Sequence, residues 1–173
     1  AVILKSIVSS ELATTIAQSY DVPMVNVLTG FKFIAEKIKE FEAEHSHSFI
    51  FGFEESYGFL VQPFVRDKDA IQALVLLAEV AAAYKKQGKT LYDALQEIFV
   101  EYGYYAEKTI SLTMSGQEGS AKITSLMKSF REQTPTEFAG TKVVQTEDFK
   151  QLIRKNAAGT TEKLSTPPSD VLK

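Results

Sequence analysis

The sequence predicts an α/β fold, because short apolar segments alternate with amphipathic ones through its first 60 residues. Residues 1–8 are apolar or β-branched at nearly every position, which is typical of a strand covered on both faces. Two further strands are predicted at 24–28 and 48–51, each preceded by a helical segment. Strands joined by single helices run parallel, with right-handed crossovers. We therefore expect a sheet with a parallel core.

The two crossover helices are predicted from their start signals and their apolar spacing. Ser9 or Ser10 can cap the first helix, and Thr29-Gly30 precedes the second. Apolar residues recur at helical spacing on one side of each segment. They are Leu12, Ile16 and Tyr20 in the first helix, and Ile34, Ile38 and Phe41 in the second.

A fourth strand is predicted at 59–61, soon after the third. The connecting segment Gly52–Gly58 is too short for a helical crossover, so this strand returns as the second arm of a hairpin. The series is therefore three parallel strands followed by one antiparallel strand.

The rest of the chain is predicted to be helical as far as residue 130. A long apolar helix, expected to be buried, starts near Ala70 with Asp67 or Asp69 as its cap, and Thr90 begins the next helix with a capping box. Residues 104–114 are expected to be extended, 115–119 to form a turn, and a last amphipathic helix to follow. Its apolar residues are Ile123, Met127 and Phe130.

After Arg131 the composition shifts toward Pro, Gly, Ser and Thr, which leaves too little apolar surface for an independent core. One strand is expected here, at 142–149, and a lone strand needs a partner sheet. We therefore predict one domain over residues 1–130, with residues 131–173 as a connector and the first piece of another domain.

Composition and charge narrow the classes of function. The 173 residues contain no cysteine, which excludes thiol catalysis, cysteine zinc sites and disulfides. The formal net charge of −3 argues against nucleic acid and anionic membranes as partners, which leaves small molecules and other proteins. Because residues 1–8 lack the features of a signal peptide, a cytoplasmic location is expected.

The segment Thr29-Gly30-Phe31-Lys32 is the first candidate site, because it leaves a strand and enters a helix. Exposed backbone amides, a glycine that permits close approach and a lysine would meet at one helix start, which outlines an anion site. The alternative is structural: Thr29 is then a helix cap, Gly30 a packing residue and Lys32 a solvated charge.

The loop Gly52–Gly58 is the second candidate, with two carboxylates, a hydroxyl and two glycines. Carboxylates and hydroxyls accept hydrogen bonds from neighbouring sugar hydroxyls, so the loop suits a carbohydrate ring. Glu54 and Glu55 are a poor acid–base pair for glycoside hydrolysis, because consecutive residues near a strand end point opposite ways. The alternative is a polar hairpin turn with its glutamates in water.

Two other segments are weaker candidates. His45 and His47 could both contact a metal ion, but a loop rich in Glu and Ser favours solvated side chains. Arg66-Asp67-Lys68-Asp69 could bind phosphate or cations, although helix capping accounts for its aspartates.

Four segments together, in this order and spacing, resemble the third domain of the α-D-phosphohexomutases, most closely the bacterial phosphoglucomutase branch. They are Val8–Leu12, Thr29–Ile34, Gly52–Gly58 and Arg66–Ala70. The resemblance extends past residue 130 into the opening strand of the fourth domain. It implies a three-layer α/β/α domain on a mixed four-stranded sheet whose last strand is antiparallel, plus a C-terminal extension.

The resemblance also implies which residues bind substrate. In this family the Glu and Ser of the loop contact ring hydroxyls, which here are Glu54 and Ser56, and the lysine that faces the sugar is Lys32. Thr29 and Gly30 belong to the same substrate-binding segment. The family moves phosphate between the C1 and C6 oxygens of a hexose through a bisphosphorylated sugar and an enzyme phosphoserine.

The family's phosphoserine, its magnesium loop and its phosphate-binding loop do not occur in this sequence. The expectation is therefore a portion of a longer enzyme, inactive alone, whose partners are a hexose phosphate and the other domains of its polypeptide. Mg²⁺ and glucose 1,6-bisphosphate are expected cofactors of the full-length enzyme, with no catalytic residue and no metal site in this portion.

Three alternatives remain open from sequence. The chain is a stand-alone module that binds sugar phosphates, or it belongs to a phosphomannomutase or phosphopentomutase of the same superfamily. In a purely structural interpretation, the loops are ordinary turns and the tail is an interaction arm.

Overall fold

The computed structural model describes residues 1–173 and divides into two compact units, residues 1–107 and residues 108–173. The first unit contains the predicted strand–helix series with both candidate segments. The second contains the last helix and the C-terminal strands. The domain boundary predicted at residue 130 concerns the full-length protein and stays a prediction.

A mixed four-stranded sheet forms the centre of the first unit, as predicted. Its strands are β1 (Val2–Ser6), β2 (Met24–Val27), β3 (Phe49–Glu54) and β4 (Gly58–Leu60). Their order across the sheet is β2-β1-β3-β4. β1 pairs parallel with β2 and β3, whereas β3 and β4 form the antiparallel hairpin. The carboxyl ends of the three parallel strands therefore meet at one edge of the sheet, followed by their loops.

Four helices accompany this sheet. They are α1 (Leu12–Ser19), α2 (Phe31–Glu44), α3 (Ala70–Lys86) and α4 (Leu91–Tyr102). The helix starts at α3 and α4 confirm two predicted caps: the Asp69 side chain caps α3, and α4 begins with the predicted capping box at Thr90.

The hydrophobic core lies between the sheet and α2. Alternate residues of β1 point to the same face, so Val2 and Leu4 are both fully buried there. The stripe predicted on α2 covers them with Ile34 and Ile38. This packing fixes the start of α2, and with it the first candidate segment, against the central strands.

The long apolar helix α3 is not buried in this chain, contrary to expectation. None of its residues is buried, and the side chains of Ile71 and Leu74 are 75% and 64% exposed. α3 packs along β4, the edge strand, and along α4. A helix that is apolar nearly all round can cover only the side that meets these two elements, so its remaining apolar residues face outward.

The second unit has more strands than the single one predicted at 142–149. Its elements are α5 (Gly116–Glu132), β5 (Glu137–Phe138), β6 (Thr141–Lys142), β7 (Gln145–Asp148), β8 (Ile153–Asn156) and β9 (Thr161–Lys163). β7, β8 and β9 form an antiparallel sheet. These strands are short, polar and mostly exposed, so they lack the apolar pattern that reveals a strand in a sequence.

One further expectation in this region is wrong. The turn expected at 115–119 is the beginning of α5 at Gly116, whereas residues 104–114, expected to be extended, form neither a helix nor a paired strand. The end of α5 is tied to the C-terminal residues by Arg131, which forms ion pairs with Asp148 and Asp170 at 3.1 and 2.7 Å. The helix is thereby part of the second unit. None of the five helices has the length and apolarity needed to cross a membrane.

Candidate functional site

The hairpin between β3 and β4 carries the predicted sugar-binding residues. Glu54 is the last residue of β3 and is buried, with 7% of its surface exposed, whereas Ser56 at the tip is exposed. The Ser56 hydroxyl donates a hydrogen bond of 2.8 Å to Oε1 of Glu54. The two oxygens that the resemblance assigns to the sugar are therefore neighbours at one end of the sheet.

Gly58 lies where the side chains of this hairpin pack closely over the backbone. A Cβ atom at this position would lie 2.7 Å from Cδ of Lys68 and 2.8 Å from Oε1 of Glu54. Both distances are shorter than real Cβ contacts, so a larger residue would displace the lysine or the carboxylate. The glycine allows Lys68 and Glu54 to approach each other over the backbone of β4.

Lys68 supplies the positive charge at this site. Its Nζ atom lies 3.7 Å from Oε1 of Glu54 and 3.1 Å from Oδ1 of Asp67. The hydrogen bond to Asp67 is the main cause that raises the pKa of Lys68, and the charge of Glu54 acts in the same direction. About half of the lysine side chain is exposed, so the ammonium group is accessible to a ligand.

From sequence, Lys68 belonged only to a weaker candidate segment, Arg66–Asp69, because helix capping accounted for the aspartates there. Asp69 does cap α3, accepting hydrogen bonds from the amides of Ile71 and Gln72. The short hairpin was the sequence feature that could have placed Lys68 near Glu54, because β4 returns the chain beside β3. In the structure, the amide of Asp69 donates a hydrogen bond to the carbonyl of Phe59 on β4. Residues just before the α3 cap are thereby held next to the Glu54 loop.

The start of α2 forms the second part of the candidate site. Gly30, not Thr29, occupies the cap position, with a φ of 117° that favours glycine, and no side chain caps the helix. Thr29 is exposed. The Phe33 amide donates to the carbonyl of Gly30, and no side chain accepts from the other amides of the first turn, where a helix start favours an external acceptor such as a phosphate oxygen.

Lys32 is exposed in the first turn of α2, with its Nζ atom 4.9 Å from the ring centroid of Phe33. It lines an open depression with Lys39 and Arg66, in which Glu36 is the one acidic group. Glu54 and Ser56 do not line that depression. The convergence of Lys32 with the hairpin around one hexose therefore stays a prediction.

Lys68 connects the hairpin with the start of α2. Besides its contact with Glu54, its Nζ atom lies 5.6 Å from the ring centroid of Phe31, the first residue of α2. Phe31 is buried and immediately precedes Lys32. Glu54, Ser56 and Lys68 therefore lie together, and the Lys68 side chain also lies beside Phe31 at the start of α2.

The remaining candidates do not form a site. His45 ends α2 in a left-handed conformation, and His47 packs against Phe41 with ring centroids 4.8 Å apart. No three His, Asp or Glu side chains lie where they could hold a metal ion together.

Comparison with known proteins identifies relatives of this chain. Residues 1–102 match the family model described as phosphoglucomutase/phosphomannomutase, alpha/beta/alpha domain III. The chain is 48% identical over 149 residues to a phosphoglucomutase of Staphylococcus epidermidis, covering 86% of this chain and 27% of that protein. It is 43% identical over 173 residues to a phosphoglucomutase of Staphylococcus haemolyticus, covering 99% of this chain and 31% of the relative.

The chain thus spans about a third or less of the length of these relatives. Their similarity continues beyond residue 102, through the second unit. Because the family model matches more than half of its residues, the chain belongs to the phosphoglucomutase/phosphomannomutase family and carries the α/β/α domain III of that family.

Proposed function

We propose that this chain supplies the sugar-recognition domain of a phosphoglucomutase, which interconverts glucose 1-phosphate and glucose 6-phosphate through glucose 1,6-bisphosphate and an enzyme phosphoserine. The observation that supports this most is the Glu54–Ser56 pair, held beside Lys68 at the carboxyl end of β3. In α/β sheets this end is where ligands bind.

Glu54 and Ser56 are suited to bind neighbouring ring hydroxyls. A carboxylate accepts hydrogen bonds from two hydroxyls, and a serine hydroxyl both donates and accepts. The Ser56–Glu54 hydrogen bond keeps both oxygens preorganised, so little conformational entropy is lost on binding. Recognition from the edge of the ring permits two opposite orientations of the sugar, as transfer between C1 and C6 demands.

The positive charges near this pair are suited to a phosphate of the substrate. Lys68 lies at the hairpin, and Lys32 and Lys39 line the depression along the first half of α2 together with Arg66, which is paired with Glu42. A dianionic phosphate would be attracted to this region, and the open amides of α2 would add hydrogen-bond donors. In this proposal Lys32 faces the phosphate or the sugar at the rim of the same cleft.

The phosphoryl-transfer chemistry itself is proposed to reside in other parts of the full-length protein. Glu54 and Glu55 do not serve as an acid–base pair, because Glu54 is engaged by Ser56 and Lys68 and Glu55 points to another partner. Magnesium, when bound elsewhere in the enzyme, would offset charge on the transferring phosphoryl group. The 173-residue chain alone is accordingly proposed to be inactive.

The full-length enzyme tests this function by kinetics with glucose 1-phosphate. Glu54→Gln combined with Ser56→Ala should lower kcat/KM by about 100-fold, since hydrogen bonds that involve a charged group are lost. The matched control is Glu44→Gln with Ser46→Ala, an exposed pair of the same spacing, in which the Ser46 hydroxyl bonds to Glu44 at 3.3 Å. Equal kcat/KM in both double variants would overturn the proposal.

Substrate choice tests the identity of the sugar. The proposal favours glucose, so the full-length enzyme should turn over glucose 1-phosphate with a higher kcat/KM than mannose 1-phosphate or ribose 1-phosphate. A higher kcat/KM on one of the other two would transfer the assignment to a phosphomannomutase or a phosphopentomutase.

A further inference from the structure

A chain of buried polar groups lies at the end of β1, and the residues assigned to substrate do not account for it. Ser6 and Ser9 are 1% and 8% exposed, and their hydroxyl oxygens are 2.8 Å apart. Ser6 also donates a hydrogen bond of 2.6 Å to Oε2 of Glu55 in the hairpin. Because the proton of Ser6 is committed to Glu55, Ser9 is the donor between the two serines.

A buried lysine supports this chain of hydrogen bonds. Lys5 is fully buried, and its Nζ atom donates to the backbone carbonyl of Ser9 at 3.0 Å and to Oε1 of Glu11 at 3.1 Å. Burying an ammonium group costs several kcal/mol unless it is well partnered. Its bonds to Ser9 and Glu11 fix the turn after β1, which in turn places the Ser9 hydroxyl against Ser6.

A hydrogen bond from Ser6 connects the exposed Glu55 with the end of β1. Glu55 is 49 residues from Ser6 in sequence, and its carboxylate reaches back across the sheet edge to the end of β1. On either side of it, Ser56 donates a hydrogen bond to Glu54, and Glu54 forms an ion pair with Lys68. The hairpin is thus held on one side through Glu55 and leaves its other side for a ligand.

We propose that Ser6 is a positioning residue for substrate recognition and acts through Glu55. Ser9 donates a hydrogen bond to Ser6, and Lys5 holds the backbone of Ser9 in place. This inference rests on the proposed function of Glu54 and Ser56. Glu55 is the first residue of the turn at 55–57, between Glu54 at the end of β3 and Ser56 in the turn, so fixing its carboxylate restrains the backbone that carries both neighbours. Without the hydrogen bond from Ser6, the hairpin tip would sample several orientations, and each sugar pose would bind less tightly.

The test is the KM of the full-length enzyme for glucose 1-phosphate. Ser6→Ala should raise KM about 10-fold while kcat changes little, because a hydrogen bond to a charged group is lost from substrate positioning alone. A purely structural role would lower the fraction of folded enzyme, which reduces the apparent kcat and leaves KM unchanged. A KM within twofold of the parent enzyme would therefore overturn the inference.

Variants of Glu55 keep the test decisive if Ser6→Ala folds poorly, since Glu55 is exposed. Glu55→Gln retains a neutral acceptor for the Ser6 hydroxyl and should raise KM less than Glu55→Met, which removes the acceptor and should raise KM about 10-fold. Ser6→Ala added to Glu55→Met should raise KM no further. Additive effects of the two substitutions would contradict an action of Ser6 through Glu55.

The two levels of proposal can fail separately. If Glu54→Gln with Ser56→Ala lowers kcat/KM but Ser6→Ala and Glu55→Met leave KM unchanged, the positioning inference is wrong and the sugar site stands. If the Glu54 and Ser56 variants leave kcat/KM unchanged, the proposed function is wrong. Ser46→Ala, which removes a Ser–Glu hydrogen bond at the far end of α2, serves as the control for both.

Discussion

The Nζ atom of Lys68 lies 3.7 Å from Oε1 of Glu54, an ion pair between a half-exposed lysine and a carboxylate whose side chain is only 6% exposed. Both side chains pack over the backbone of Gly58, which has no side chain to separate them. Because the lysine is the accessible member, it can turn toward a bound anion while the carboxylate stays in place. The arrangement favours a ligand that offers both hydroxyls and negative charge.

We expect Lys68→Met to lower kcat/KM for glucose 1-phosphate by at least about 10-fold in the full-length enzyme, because a charge next to the sugar is lost. Lys68→Arg should retain part of the activity. The control is Lys128→Met, since Lys128 forms an exposed ion pair of the same length, 3.7 Å, with Glu132. If the Lys68→Met and Lys128→Met enzymes were equally active, Lys68 would have no part in recognition.

Gly58→Ala is expected to raise the KM for glucose 1-phosphate, because the added methyl group would meet Glu54 and Lys68 at distances under 3 Å. Gly88→Ala provides a contrast. Gly88 has open space around it but a φ of 73°, so alanine there should reduce stability by about 1 kcal/mol without affecting KM. The reverse result, with KM raised only by Gly88→Ala, would contradict the packing described for the hairpin.

Ile34→Ala is expected to destabilise the 173-residue chain by about 3 kcal/mol, because Ile34 is 1% exposed at the centre of the core between β1 and α2. Ile71→Ala on α3 should cost much less, since that side chain is 75% exposed. Urea unfolding followed by circular dichroism measures both. Equal losses for the two variants would show that the apolar core does not lie where the structure has it.

The capping box of α4 predicts a pH effect. Hydrogen bonds from the side chain and backbone of Thr90 lower the pKa of Asp93 from its ordinary value of 3.8. The folded state therefore binds this proton more weakly than the unfolded state, so the cap stabilises the fold above the unfolded pKa and its contribution is lost as the pH falls through the folded pKa. Thr90→Ala should raise the pKa of Asp93 toward 3.8 in an NMR titration. An unchanged pKa would mean that the box does not form.

Most of the first unit could be predicted from sequence, because its signals are local and agree with one another. The crossover strands are apolar, the stripe on α2 has helical spacing, and the Gly52–Gly58 segment is too short for anything but a hairpin. The caps at Asp69 and Thr90 follow from side-chain chemistry alone. The antiparallel direction of the last strand follows from these elements, whereas the order of the strands across the sheet, β2-β1-β3-β4, is known only from the structure.

The network that holds the hairpin could not be predicted in the same way. The contact of Ser6 with Glu55 joins residues 49 positions apart, and Lys5 is a charged residue in an apolar strand, so no periodic pattern marks either as a partner. The position of Lys68 beside Glu54 could not be predicted either, because the capping of α3 already accounted for the aspartates of its segment. Such contacts depend on how the strands pair, which sequence spacing alone does not encode.

The central claim is that Glu54 and Ser56 bind the sugar ring, and a crystal structure of the full-length enzyme with glucose 1-phosphate tests it most directly. We predict that the Glu54 carboxylate and the Ser56 hydroxyl lie within hydrogen-bond distance of ring hydroxyls, with Lys32 and Lys68 facing the same ligand. A sugar bound in the active cleft with no contact to either Glu54 or Ser56 would contradict the account.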